Sequence, residues 1–182
     1  MIVQDAPTEQ STQDSTEASS DDSTEESTPE LLGGCACGAV RYRLATEPMF
    51  VHCCHCLDCQ RQTGSAFVIN ALIETARLEV EGADPERFEM PTDSGRPHGI
   101  YSCQSCGTAV WSEYGGLETL RFVRVGTLDD PHLLAPNVHI YVRSKLPWVT
   151  LPKGVPAFDG YYDARELWPP DSLARRSSIL PG

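Results

Sequence analysis

Cysteine carries the chemistry of this chain: Cys35-Ala36-Cys37, Cys53-Cys54-His55-Cys56 with Cys59 close behind, and Cys103-Gln104-Ser105-Cys106 hold all eight of its thiols. Spacings this tight suit metal thiolate sites better than disulfides, and a bridge between Cys35 and Cys37 would be strained by its short span. The groups sort into a closed set and an open set. Cys35, Cys37, Cys103 and Cys106 make four thiolates, enough to fill a tetrahedral zinc site and leave no position for chemistry. Cys54, Cys56 and Cys59 make three, so zinc held there keeps a fourth position for water, a thiol or a substrate oxygen. Completion of that set by His55 or Cys53, giving a second closed site, stays open as the alternative. Adjacent residues rarely ligate one metal, because their side chains diverge. Three thiolates leave zinc with a net charge of −1, a mild Lewis acid but a good holder of another thiolate, which points to sulfur chemistry.

These thiols need tight turns to hold them. Gly38 and Gly107 each follow the second cysteine of a pair, where a zinc knuckle needs a turn that aims backbone N–H groups at sulfur. One zinc would thereby join two turns far apart in sequence, and its binding energy would become folding energy. Strand signals surround the turns. Val40–Leu44 alternates apolar and polar residues, and Ala66–Ile73 is an apolar run suited to a more buried strand. Leu78–Glu81, Arg87–Met90, Gly99–Ser102, Ala109–Ser112, Leu120–Val125 and Val138–Val142 are further candidates, separated by turns at Gly82–Pro85, Asp93–Pro97 and Asp129–Pro131. Leu57–Thr63 reads as a short helix stopped by Gly64. The expected class is a mostly β domain stapled by zinc.

The chain has 182 residues and a formal charge of −12, with nine acidic side chains and no Lys or Arg in residues 1–30. Removing those nine leaves 17 acidic against 14 basic side chains, so the acidity belongs to the segment and not to the domain. Rich in Ser and Thr, residues 1–30 read as a disordered acidic tail, with Ser19, Ser20 and Ser23 placed before acidic residues. Residues 31–160 form the zinc-binding β domain, and 161–182 an irregular C-terminal extension. No basic stripe recommends nucleic acid as a partner. The absence of a signal-like start or a long apolar run leads us to expect a cytoplasmic protein with no membrane partner, in a reducing compartment that favours metal over disulfide.

Taken together, Gly34–Gly38, Cys54–Cys59 followed by Gly64-Ser65-Ala66-Phe67, Cys103–Thr108, Gly126–Pro131, His139-Ile140-Tyr141 and Ser144–Trp148 resemble the glutathione-dependent formaldehyde-activating enzyme family, which includes proteins similar to centromere protein V. The resemblance runs from Leu31 to Phe158. It implies a β-tent fold with two zinc ions per chain: a structural one on Cys35, Cys37, Cys103 and Cys106, and a catalytic one on Cys54, Cys56 and Cys59, with Cys53 left as a free thiol. It also implies a carbon–sulfur lyase resembling S-(hydroxymethyl)glutathione synthase, whose partners are a small glutathione-like thiol and an aldehyde. The alternatives are a lyase acting on a related thiol adduct and a non-catalytic zinc-binding module of the centromere protein V type, against which the acidic tail weighs.

Lesser expectations attach to single residues. His139 and Tyr141, two apart on a strand, would share a face and line the pocket, or His139 would be a half-buried hydrogen-bonded residue. Arg143 and Lys145 would meet a ligand carboxylate or stand as solvated loop charges. Trp111 and Trp148 would pack the core. Asp58 and His55 are the nearest candidates for a general base.

Overall fold

The computed structural model describes residues 30–180, so the expectation for residues 1–30 lies, Glu30 aside, outside them. Among the described residues the chain is mostly β, with ten strands and two α-helices. Strands β1 (Leu31–Gly34), β2 (Val40–Leu44) and β5 (Leu78–Gly82) form an antiparallel sheet in the order β1-β2-β5. The larger sheet runs β10-β3-β4-β9-β8-β7-β6. Its strands are β3 (Phe50–Cys54), β4 (Val68–Glu74), β6 (Glu86–Glu89), β7 (His98–Ser102), β8 (Ala109–Tyr114), β9 (Leu120–Arg124) and β10 (Val138–Ile140). All its pairs are antiparallel except β10 with β3.

Side-chain alternation builds the core between the sheets. On β2, Val40, Tyr42 and Leu44 point inward, while Arg41 and Arg43 turn outward to pair with Asp129 and Glu79. Inward residues meet Val51, Ala71, Ile73, Val123 and Trp111 of the larger sheet. Tyr42 and Trp111 pack edge to face at 5.7 Å, and the Tyr42 hydroxyl shares a 2.7 Å hydrogen bond with Thr127. Trp111 thus packs the core as expected, whereas Trp148 is 71% exposed because it sits in a loop beyond the sheet edge.

The same alternation turns Phe50, Cys54 and Leu72 to the opposite face of the larger sheet, where a second cluster forms beneath the C-terminal segment. Trp168 stacks on Phe50 at 5.0 Å. The expected irregular extension is here corrected: Pro170–Ile179 is a helix, α2, with proline in its first turn, a position that needs no N–H. Tertiary contacts hold it, since its Leu173 and Ile179 pack on the second cluster and Arg175 clasps Glu74 of β4 at 2.6 and 2.8 Å. Glu74 is 6% exposed and its other partner, Arg77, is more exposed and 3.3 Å away, so Arg175→Ala removes the two closest donors of a buried carboxylate, at a cost of about 2 kcal/mol.

Burial is the largest influence and would raise the Glu74 pKa, but the Arg175 hydrogen bonds, a backbone hydrogen bond and the charges of Arg175 and Arg77 together hold the group below its ordinary 4.5. A depressed folded-state pKa gives stability that is present above pH 4.5 and lost as pH falls through the folded value. Calorimetric melts of Arg175→Ala should therefore fall well below wild type at neutral pH and converge on it in acid. Equal melts at pH 7 would refute the clasp. No described helix is long and apolar enough to cross a membrane.

Candidate metal centres and the cavity

The turn between β1 and β2 carries Cys35 and Cys37, and the turn between β7 and β8 carries Cys103 and Cys106. Gly38 and Gly107 take the left-handed backbone that closes each knuckle, φ 77° and 72°, and donate to the Cys35 and Cys103 carbonyls at 3.0 and 2.8 Å. The Val40 N–H points at the Cys35 sulfur from 3.3 Å. Sulfur separations of 3.5 Å for Cys35–Cys37 and 3.7 Å for Cys37–Cys103 approach the roughly 3.8 Å edge of a tetrahedron with zinc–sulfur bonds of about 2.3 Å. Four thiols thus meet across 66 residues of sequence and bridge the two sheets, a donor set that fits zinc and leaves no fifth ligand among the grouped residues.

Cys54 ends β3, and Cys56 and Cys59 lie at the start of α1 (Leu57–Thr63), which Gly64 stops in the left-handed conformation as expected. Their sulfurs lie within 4.8 Å of one another. Hydrogen bonds from the thiols of Cys54 and Cys59, then the Cys59 and Asp58 backbone, hold Cys56 as the readily ionised member, and Cys54 is correspondingly pushed up by Cys56 and Cys59. Thiolate sulfur is the form a metal binds, so this set also fits zinc.

What separates the two sets is the cavity: Cys37 and Cys106 are exposed on the outer surface, and none of the four borders it. Cys54, Cys56 and Cys59 border a cavity of about 900 Å³, walled on its apolar side by Leu72, Leu120, Phe122 and Ile140. Arg124 reaches the same cavity, buried, donating to Asn70 at 2.5 Å and to Gln62 at 2.8 Å. Burial lowers its pKa while the charges of Cys59, Cys54 and Cys56 raise it, and a guanidinium stays charged in either case. One fixed positive charge therefore faces a set of thiols whose zinc complex would carry −1. His98, its pKa lowered by burial and then by Arg124, borders the cavity too. Neither residue was legible from spacing, since a lone Arg or His on a strand carries no motif.

Several single-residue expectations change. Tyr141 takes a left-handed backbone, φ 57°, which ends β10 at Ile140 and breaks the alternation. Ile140 and Tyr141 consequently both border the cavity, and His139 turns to the other face with Cys53 and His55. His139 and Tyr141 do not share a side. A non-glycine residue in this conformation is strained by roughly 1–3 kcal/mol, a cost that often marks functional sites. Arg143 borders the cavity, but Lys145 donates to the Leu146 and Val149 carbonyls and closes a loop instead. Asp58 lies on the cavity rim, where it accepts from the Asp93 N–H at 3.3 Å, whereas His55 is fully buried away from it.

Cys53, His55 and His139 also gather closely, with His55 Nε2 3.6 Å from the Cys53 sulfur and 3.0 Å from His139 Nδ1. Their outer nitrogens, His55 Nδ1 and His139 Nε2, are buried without partners among the described residues. A metal on this trio would force a proton onto each of them with nothing to accept it, contrary to the way metal-bound histidines are supported. The trio fits a neutral histidine–histidine hydrogen bond instead, and burial holds the His55 pKa down at about 4.

Among proteins of known sequence, the chain is 27% identical over 126 residues to a Halomonas elongata protein provisionally named a glutathione-dependent formaldehyde-activating enzyme, a match covering 66% of this chain and 80% of that one. A crystal structure of a Rhodobacter sphaeroides protein is similar at 20% identity and a TM-score of 0.41, over 54% of this chain and 88% of that one. The family model for glutathione-dependent formaldehyde-activating enzymes matches residues 30–144, the stretch that carries both cysteine sets and the strands that hold them; the chain belongs to that family.

Proposed function

We propose that this protein is a carbon–sulfur lyase that joins a small thiol to an aldehyde at the Cys54/Cys56/Cys59 set, as in the formation of S-(hydroxymethyl)glutathione from glutathione and formaldehyde. The single observation that carries this reading is that the three-thiol set opens on the cavity, while the four-thiol set lies in two turns that do not border it. Two zinc ions per chain follow from the two donor sets: Cys35, Cys37, Cys103 and Cys106 hold a structural one, and Cys54, Cys56 and Cys59 a catalytic one. Zinc at the second set would supply a Lewis acid and a holder of thiolate.

The protein's own groups bind and orient. In the addition, the thiol sulfur forms a bond to the aldehyde carbon and the S–H proton ends on the former carbonyl oxygen. Arg143, Arg176 and Arg96 on the cavity border suit a thiol that carries carboxylates, as glutathione does. Asp58 is the cavity carboxylate nearest in sequence to the thiols and the better candidate to relay the proton, because His55 does not reach the cavity. Bringing the reactants together is the larger part of the task, since the addition also proceeds unaided.

Exchange NMR of glutathione and formaldehyde with their adduct, with and without the zinc-loaded protein, tests the reading. Faster exchange supports it. Unchanged exchange rejects glutathione–formaldehyde catalysis and leaves a related thiol adduct or a zinc-binding interaction module.

A further inference from the structure

His52 stands two residues before Cys54 on β3, so the two side chains share the cavity face about 7 Å apart. Its Nε2 lies 2.8 Å from the Tyr162 hydroxyl, which in turn lies 2.5 Å from Trp168 Nε1. The direction of this chain follows from the donor inventory. An indole N–H can only donate, so the Tyr162 oxygen accepts from Trp168. No other acceptor for that oxygen's single proton is found among the described residues, so pairing it directs it at His52 Nε2 and places the imidazole proton on Nδ1. An imidazolium could not accept at Nε2, so the ring in this arrangement is neutral.

His52 Nδ1 has no protein partner among the described residues, nor is it one of the sealed, unpartnered nitrogens, which are His55 Nδ1, Arg124 Nε and His139 Nε2. The ring is only 2% exposed and borders the cavity, so its free N–H opens on cavity space. Tyr162 and Trp168 lie beyond residue 144, outside the stretch that the family model matches. From the same segment Arg176 reaches the cavity border and places its guanidinium 5.8 Å from the Trp168 ring centroid.

We propose that the C-terminal segment locks His52 as a fixed Nδ1–H donor and, with Arg176, creates a subsite for a carboxylate of the thiol ligand beside Cys54. His52 touches the ligand; Tyr162 and Trp168 are positioning residues that act through it. Part of the ligand specificity therefore resides in a segment that the family's shared region does not contain. The proposal rests on the cavity being the thiol site.

The lock is read without any ligand. In the zinc-loaded full chain labelled with [15N]histidine, long-range proton–nitrogen correlation should give the Nδ1–H form for His52, assigned by its loss in His52→Asn. Tyr162→Phe should turn that signal into a mixture of tautomers. An Nε2–H form in the wild type, or an unaltered signal in Tyr162→Phe, would overturn the lock.

The subsite is read by calorimetric titration with glutathione. His52→Leu should weaken binding about tenfold, and His52→Asn, whose amide can present an N–H near the Nδ1 position, should recover most of it. Equal affinity in His52→Leu, or no glutathione binding by a wild type with the Nδ1–H form intact, would overturn the carboxylate subsite. Absence of exchange catalysis in a protein that passes both tests counts against the lyase reading alone.

Discussion

Cys103→Ser is expected to loosen the two sheets at the end where the thiols join them. Cys103 is 3% exposed in the turn between β7 and β8, and its partners Cys35 and Cys37 lie in the turn between β1 and β2, so the four thiols form a direct bridge between the sheets at that end. Binding of structural zinc is worth about 10–16 kcal/mol in small zinc domains, comparable to the whole stability of an ordinary domain. Serine is a far poorer zinc ligand, and the remaining three thiols would hold the ion weakly. A loss of about 5 kcal/mol is the expected scale, lowering the melting temperature by roughly 10–20 °C at this chain length. Bound zinc should drop from two ions to one per chain. An unchanged melt together with full zinc content would refute the structural assignment.

The contrasting variant is Cys54→Ser. Cys54 is 5% exposed, and exchanging sulfur for oxygen alters its packing little, so the melt should stay within a few degrees of wild type. Zinc affinity at the second set should fall by at least about 100-fold, the upper end of what loss of a supporting group alone can do. Exchange of glutathione and formaldehyde with their adduct should return to the uncatalysed rate. The pair of variants is informative because the two cysteine sets predict opposite outcomes: one loses stability, the other the chemistry. If Cys54→Ser lowers the melt as far as Cys103→Ser does, the division into a structural and an open centre fails. If Cys54→Ser keeps full exchange activity, the reaction lies elsewhere.

Local rules explain how much of this was legible. The spacing of Cys35 with Cys37 and of Cys103 with Cys106, each followed by glycine, required tight turns, and both glycines adopt the positive φ that such turns need. Leu57–Thr63 was bounded by Gly64 and is α1 over the same residues. Val40–Leu44 showed its alternation openly, because one face of β2 meets solvent. Strand β3 did not. Phe50, Val51, His52, Cys53 and Cys54 are all buried, since the sheet is covered on both faces there, and burial of polar types on both sides erases the period-two signal. The strand that carries Cys54 and His52 was therefore the least visible in the sequence. Helix α2 was hidden for a related reason: its local signals are weak, and its stability comes from Glu74 and the cluster beneath it, about 100 residues away in the chain.

The donor set is readable from the residues alone: which thiols exist, in which turns, and hence that one group of four could saturate a metal while a group of three could not. Residue type and short-range spacing fix that much, because metal coordination counts ligands and tight turns have few solutions. Folding in three dimensions settled the rest: that the three-thiol group borders the cavity, that Arg124 faces the thiols, that His139 turns away while Tyr141 turns in, and that Tyr162 and Trp168 reach back to His52. Each of these depends on a pairing between residues far apart in the chain or on the face a strand presents, and a one-residue change in register reverses the face.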